Sequence, residues 1–545
     1  MRKPHPSLLL VAIVLGWLPM VYLWFNPPPL IGDEAYYARV PVEMRERRDW
    51  IVPYFNGEPR YKKPPLMYWL VALSQSVFGE NEFASRLPSF MAVLLTGLLL
   101  TWFGLRLGIA ELGLWAAAAF LLNPMTVILG NWGAPEATLC LFITASVLFG
   151  FLGFFDKATK WFLLSGIAAG LGVLTKGAPG LILPIIAFFP ITIWKNLKWQ
   201  KTETVQVERK KTFGQLALWL TACLVVATPW FIAVWVCEGE KFWQVFLWRE
   251  HVQRVAEPME GHRGPTWFYL PVIWLLFLPW SIQLPSAFVA AFKNYPTTLN
   301  RPRLDTFMAW WAASVMILFS LVATKLPHYI FPAFPALAWL AASQAQHDLS
   351  KGEFWISFVL GALPVPLLLY GSFAGFQAYQ EFLQKLGFKA SGELEVVKLV
   401  AYLLLLGFVS VPLVLLFPAV AQFFVGQKFK PQRVLLVSGV LLTATNLVAI
   451  SKLVHASCGH EATKLWIKSQ HIATFGSDTE WAVFYAKRPV PMLGRDQEQL
   501  LVFLAKYPDA AILARVDFAP ALRRKGLKLV RLGIWCVALQ RERKR

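Results

Sequence analysis

Long uncharged apolar runs recur along this chain from Ser7 to Ile450, and they constrain the fold more than any other feature. A run of about 18 or more such residues has the length of a helix that crosses a bilayer's hydrocarbon core. At about 20 residues per span, about thirteen spans are expected. Their expected limits are 7–26, 84–106, 111–130, 134–154, 161–176, 178–194, 213–236, 267–289, 305–323, 329–345, 353–376, 396–424 and 432–451. The chain is 57% hydrophobic and 15% charged, against about a quarter charged in an ordinary soluble domain. Many tryptophans sit near run ends, where interfacial anchors belong. The first run follows Arg2 and Lys3 as a signal peptide would. Asn26-Pro27-Pro28-Pro29 follows it rather than a small-residue cleavage site, so the run reads as a retained span.

Charge then sets the orientation. Lys157 and Lys160 follow the fourth span, and Lys195, Lys198, Lys201, Arg209, Lys210 and Lys211 follow the sixth. Lys293, Arg301 and Arg303 follow the eighth, and Lys428, Lys430 and Arg433 the twelfth. With the N-terminus these loops fall on one side, which the positive-inside rule makes cytoplasmic. The net charge of +20 is read as these loops. Outside the spans there is no basic arm interleaved with aromatics, and nucleic acid is not an expected partner. Two long loops fall outside, 27–83 and 237–266, and both carry Lys and Arg against the rule. Solvated ion pairs account for most of those charges. The remainder point to an anion site at the outer surface, such as a lipid phosphate.

From Lys452 the pattern changes, dividing the chain into a membrane domain, 1–451, and an extracytoplasmic α/β domain, 452–545. Strands are expected at His471–Gly476, Val490–Leu493, Ala510–Val516, Leu527–Leu532 and Ile534–Leu539, and helices at Gln497–Lys506 and Ala519–Lys525. Cys140, Cys223 and Cys237 lie in or beside spans as packing residues. A disulfide between Cys458 and Cys536 is left open, since spacing alone does not show that two sulfurs meet.

Two stretches of the first outside loop carry chemistry. Asp33 and Glu34, in Gly32-Asp33-Glu34-Ala35-Tyr36-Tyr37, sit just past a span, where a carboxylate can take a proton or hold a metal. In Tyr61-Lys62-Lys63-Pro64-Pro65-Leu66, the prolines suit a helix start. The apolar helix from Leu66 to Phe78 is too short to span and is expected along the interface. Lys63 is then held at headgroup level, where it can bind a phosphate or simply snorkel.

The ordered motifs resemble one superfamily. They are Gly32-Asp33-Glu34-Ala35-x-Tyr37-Ala38, Lys63-Pro64-Pro65-Leu66-x-Tyr68-Trp69 and Ala84-x-Arg86-Leu87-Pro88-Ser89. His262-Arg263-x-Pro265-x-Trp267-Phe268-Tyr269-Leu270, Phe277-Leu278-Pro279-Trp280, Lys325-Leu326-Pro327-His328-Tyr329-Ile330 and Phe484-Tyr485-x-x-Arg488-Pro489 continue the series. Together they resemble the protein O-mannosyltransferase and lipid A aminoarabinose transferase families, which are membrane glycosyltransferases of the GT-C fold. The likeness is greater to the aminoarabinose branch of the bacterial inner membrane. The resemblance implies catalytic acids at Asp33, Glu34 and Glu136, the last where the family usually has Asp. It implies donor-phosphate binding by Lys63, Arg86, His262, Arg263, Lys325 and Tyr329. A divalent cation is left open.

The resemblance further implies a donor with its sugar linked through phosphate to a polyprenyl chain of the undecaprenyl type. The acceptor is a lipid A-like glycolipid or a protein. It attacks the sugar's first carbon with inversion, and Asp33 is the base if the attacking group is a hydroxyl. A transporter of lipid-linked sugars is the rival from another class. It would favour inverted repeats and broken mid-membrane helices, whereas the polar residues here cluster in outside loops.

Overall fold

The computed structural model describes residues 27–345 and 459–539 apart from short breaks, with 436–444 and a few positions of the first run. The expected spans 7–26, 353–376 and 396–424, and most of 432–451, lie outside the described residues.

The first outside loop is itself folded. It contains helix α1 (Glu34–Arg47), a two-stranded hairpin of β1 (Tyr54–Phe55) and β2 (Glu58–Pro59), and helix α2 (Leu66–Phe78). α2 has the limits expected for the interfacial helix, and Leu73 and Val77 on its outer face are 65% and 68% exposed. Helix α3 (Glu82–Arg106) follows. Asn81 starts it by accepting the Ala84 N–H at 2.8 Å, with Glu82 in its first turn and Arg106 in its last, both favourable to the helix dipole.

Next come α4 (Ala110–Leu121), α5 (Pro124–Gly130), α6 (Pro135–Asp156), α7 (Thr159–Lys176), α8 (Pro179–Leu197) and α9 (Glu203–Glu238). Small residues let these helices approach closely, as in other membrane bundles. A Cβ on Gly104 of α3 would stand 2.6 Å from Gly113 Cα of α4, and one on Gly170 of α7 would stand 2.7 Å from the Cys223 carbonyl of α9.

Among the described residues four helical segments are long and apolar enough to cross a membrane: Glu82–Arg106, Pro135–Asp156, Phe213–Glu238 and Leu304–Leu321. Two bent pairs raise the number to six if each is one span. The expected continuous span at 111–130 is bent by 69° between α4 and α5. Asn123 causes the break. Its amide donates to the carbonyls of Ala119 and Phe120, and its side-chain oxygen caps α5 at Thr126. The expected span at 267–289 is bent by 119° between Tyr269–Leu276 and Trp280–Phe292. Pro279 lies at that bend and has no N–H to continue a helix. The span expected at 329–345 is a 3-10 turn, Pro327–Ala333, leading into a short α-helix, Phe334–Ala345.

Residues 460–539 contain a mixed sheet of β3 (Ile472–Phe475), β4 (Ala511–Arg515), β5 (Lys528–Leu532) and β6 (Trp535–Leu539), in the order β3-β4-β6-β5. β3 and β4 are parallel, and the other pairs are antiparallel. Leu500, Leu504 and Leu522 belong to one of its apolar clusters, and Trp466, Trp481 and Trp535 to another. The strand expected at Val490–Leu493 is reduced to a single bridge, Thr474 to Met492, because Pro489 and Pro491 have no amide to extend a ladder. Helices Gln497–Lys506 and Ala519–Arg524 fall where expected, while His460–Trp466 and Trp481–Ala486 were not foreseen. Cys536 is buried with a free thiol facing the Arg515 carbonyl at 3.8 Å, and Cys458 lies outside the described residues.

Candidate active site

Residues from the segments 27–83, 133–136, 176–178, 244–254 and 325–329 meet through side-chain contacts. α1 ends its first turn against α3. Glu34 is buried and pairs with Arg86, whose Nε and guanidinium nitrogen donate to the carboxylate at 2.7 and 2.8 Å. The same carboxylate accepts the N–H groups of Gly133 and Ile31. Arg86 also donates to the carbonyls of Pro28 and Pro29. Glu34 and Arg86 are therefore engaged with each other and with backbone, tying three loops together. Asp33 immediately precedes this knot. It is exposed, at the start of α1, and makes no side-chain capping bond there.

Lys63 lies at the end of the hairpin segment. Its Nζ donates to Glu250 at 2.7 Å and to the Lys62 carbonyl at 3.1 Å. Glu250 belongs to a π-helical segment, Gln244–Gln253. Arg254, four residues on, donates to the same carboxylate at 3.2 Å and to Tyr329 Oη at 3.1 Å. On the other side of Tyr329, Lys176 donates to Glu136 Oε1 at 2.8 Å, and its Nζ is 5.1 Å from the Tyr329 ring centroid. His328 Nε2 stands 3.5 Å from the same Glu136 oxygen. Glu136 Oε2 is buried without a hydrogen-bond partner. His251 braces the turn after Lys176, its Nε2 accepting the Ala178 N–H at 3.2 Å.

Lys63, Arg254 and Lys176 thus share two carboxylates, Glu250 and Glu136. That surplus of positive charge explains two titrations. Burial would raise the Glu250 carboxyl, but Lys63 and Arg254 outweigh it and hold it at about 2. Burial, with Lys176 and Arg254 nearby, brings the Lys63 ammonium down to about 8 despite its pairing with Glu250. An arrangement of this kind gains when an external anion arrives.

Between this cluster and Asp33 lies an aromatic group. Tyr37 and Tyr68 stack with centroids 5.4 Å apart, and the Arg60 guanidinium lies 3.6 Å from the Tyr36 ring centroid. Burial pushes the Tyr37 hydroxyl well up, and the charges of Glu136 and Asp33 add to the effect. Both carboxylates are therefore within electrostatic reach of one tyrosine, although Asp33 and Glu136 do not themselves pair.

Three expected basic residues are placed differently. Lys325 donates to the carbonyls of Phe319, Ser320 and Val322, closing the end of the Arg301–Leu321 helix. His262 is exposed, and its carbonyl accepts the Lys325 N–H at 3.1 Å. Arg263 is exposed, and Arg254 rather than Arg263 reaches Tyr329. Sequence reasoning did not single out Arg254, Glu250, Lys176, Arg60 or His328. Lys176 was detectable as a charge in the short break between two spans, and Arg254 as one of several bases in the loop 237–266.

Among the described residues no group of three or more His, Cys, Asp or Glu is assembled to hold a metal. Lys176 takes Oε1 of Glu136 and leaves Oε2 open, a single free carboxylate oxygen rather than the set of ligands a divalent cation needs.

Comparison with known proteins agrees with this architecture. Residues 11–246 match the family model of dolichyl-phosphate-mannose-protein mannosyltransferase. The chain is 32% identical over 336 residues to an undecaprenyl phosphate-alpha-4-amino-4-deoxy-L-arabinose arabinosyl transferase of Yersinia enterocolitica, covering 61% of this chain and 58% of the relative. It is 31% identical over 378 residues to the transferase of that name from Aeromonas hydrophila, covering 66% of each. The chain therefore spans somewhat under two thirds of the length of these relatives.

Among solved structures, ArnT from Cupriavidus metallidurans bound to undecaprenyl phosphate superposes with a TM-score of 0.74 at 22% identity, covering 98% of this chain and 97% of that one. An oligosaccharyltransferase from Archaeoglobus fulgidus superposes with a TM-score of 0.50 at 11% identity, covering 94% and 68%. The fold is the GT-C fold that these solved structures share. Within that class, the resemblance to the lipid A aminoarabinose transferase and protein O-mannosyltransferase families is borne out by the matched region and the relatives.

Proposed function

We propose that this protein transfers a sugar, with 4-amino-4-deoxy-L-arabinose the first to test, from an undecaprenyl-type phosphate carrier to a lipid A-like glycolipid. The observation that carries the reading is the surplus of positive charge at Lys63, Arg254 and Lys176 beside Tyr329. The names of the relatives supply the sugar and the carrier. The acceptor oxygen attacks the sugar's first carbon from the face opposite the phosphate. The bond from that carbon to the phosphate oxygen breaks, and its electron pair leaves on the phosphate. Lys63 and Arg254 neutralise the departing charge, and Tyr329 Oη donates a hydrogen bond. Stabilising a leaving group in this way lowers the barrier electrostatically. If the acceptor is a hydroxyl, its proton passes to Asp33. If it is a phosphate, it arrives ionised, and Asp33 orients it.

In this reading about thirteen spans hold the chain in a bacterial inner membrane with the N-terminus cytoplasmic. Residues 452–545 form an extracytoplasmic α/β domain beside the site. The helix Leu66–Phe78 rests its exposed apolar face in the interface and carries Lys63 to headgroup depth.

The test incubates purified protein with the undecaprenyl-phosphate aminoarabinose donor and lipid A, and reads the product by mass spectrometry. A pentosyl addition to lipid A is the expected result. Transfer from a polyprenyl-phosphate mannose to a protein would instead support the second reading, protein O-mannosyltransfer, which the matched family model favours. Movement of the donor across vesicles without transfer would overturn both.

A further inference from the structure

The C-terminal sheet region touches the first outside loop at two points. Tyr485 Oη accepts the Leu30 N–H at 2.9 Å and donates to Glu82 at 2.8 Å. Asn56, at the tip of the hairpin, exchanges two hydrogen bonds with the backbone of Val490, at 2.8 and 2.7 Å. Between these points α1 presents two small buried residues one turn apart. Ala35 packs in the cluster of Trp466 and Trp481, and Ala38 packs with Leu30 and Phe484. The opposite face of α1, with Tyr37, Val40 and Met44, packs on Met67, Tyr68 and Val71 of α2. α1 is thus clamped between the C-terminal region and the segment that carries Lys63. Asp33 stands at the start of α1, three residues from Leu30. Glu82, the other partner of Tyr485, begins the helix that carries Arg86, and Arg86 holds Glu34.

From this juxtaposition we propose that Tyr485 is a positioning residue for the transfer reaction: through Leu30 and Glu82 it holds Asp33 at the attacking side of the site, so that the C-terminal region completes the active site. The inference rests on the transferase reading above, and it explains what residues more than 400 positions away in sequence add to a site built on the first loop. A tyrosine suits the task because one hydroxyl both accepts from the backbone and donates to a carboxylate. Phenylalanine keeps the packing and loses both bonds. The Lys63, Arg254 and Tyr329 cluster makes none of these contacts, so the effect should fall on turnover and spare donor binding.

The test compares wild type with Tyr485→Phe in two measurements. The first is turnover with saturating donor, alongside affinity for undecaprenyl phosphate. Turnover should fall by about tenfold, the scale of one or two well-placed hydrogen bonds, with donor affinity unchanged. On an Asp33→Asn background, Tyr485→Phe should cost little further, because the two act through one position. The second is hydrogen–deuterium exchange over residues 29–36 without substrate, which should quicken in Tyr485→Phe. Equal turnover, or a full independent loss on the Asp33→Asn background, would overturn the inference, as would unchanged exchange. If wild type itself gives no transfer, the transferase reading fails, and exchange alone still decides whether Tyr485 holds the loop.

Discussion

Lys63 faces two opposed demands. In the role proposed for it, it must be charged to hold a phosphate, yet it sits partly buried beside two other cations, and burial brings its ammonium down to about 8. Affinity for undecaprenyl phosphate should therefore be full near pH 7 and fall, by up to about tenfold per pH unit, as pH rises past about 8. The carrier phosphate has lost its second proton well below that pH, so the fall reports the protein. Lys63→Arg, charged throughout, should abolish the fall, and titration calorimetry between pH 7 and 9.5 reads both proteins. Lys63→Ala should lower transfer by about 100-fold or more with little change in thermal stability, the scale of losing one strong electrostatic stabiliser. Normal activity would leave Lys63 as a snorkelling lysine. Asp33→Asn separates the acceptor classes. With a hydroxyl acceptor, turnover should drop steeply and the wild-type rate should rise through an acidic pKa. With a phosphate acceptor, the loss should fall on acceptor affinity. Turnover against pH for both proteins decides, and a variant matching wild type in every respect would reduce Asp33 to a surface acid.

At the scale of elements, the pairing of α1 with α3 is the joint on which the site depends. Glu34 and Arg86 are both buried, and each has its remaining polar atoms on backbone groups of neighbouring loops. Arg86→Ala leaves a buried carboxylate without its charge partner and should destabilise the protein by about 3–5 kcal/mol, read as a large drop in melting temperature in detergent. Arg86→Lys restores the charge but not the two-pronged geometry and should recover only part. Family likeness implies a catalytic role for Glu34 and donor-phosphate binding for Arg86, whereas their contacts in the structure are with each other and with backbone. The reason is physical: a carboxylate held by a bidentate arginine and two amides has little capacity left for a substrate. The α3 and α4 pair obeys a simpler rule. Gly104→Val would drive a side chain into the backbone of Gly113, and the variant should fail to accumulate in membranes.

At the scale of the whole molecule, the basic loops predict the orientation. A reporter active only outside the cytoplasm should be active when fused after Arg545, and one active only inside should be active near Lys201. The opposite pair of results would move every site loop to the cytoplasmic face and remove access to an acceptor outside. The two long loops expected outside meet through Lys63 and Glu250, 187 residues apart. Run length and strand alternation are local properties of a chain, so α2, α3, α6 and all four strands of the C-terminal sheet fall where expected. The breaks at Asn123 and Pro279 lie inside apolar runs long enough to read as continuous spans, and only the bends of 69° and 119° reveal them.

By itself, then, the sequence determined what local chemistry determines: a multispan helical chain, loops that differ in charge, a short apolar helix preceded by a lysine, and ordered motifs that resemble one superfamily. Tertiary structure decided which charges meet. Lys63 and Glu250 are 187 residues apart, Arg254 and Tyr329 are 75, and Lys176 and Glu136 are 40. The sequence offered several bases in the loop 237–266, and nothing local distinguishes the one that reaches Tyr329 from those left in solvent. Ion-pair energy depends steeply on distance and burial. Both are set only when the helices pack, which brings Arg254 rather than Arg263 to Tyr329, turns Lys325 onto helix-end carbonyls, and seats Tyr485 against the loop that carries Asp33.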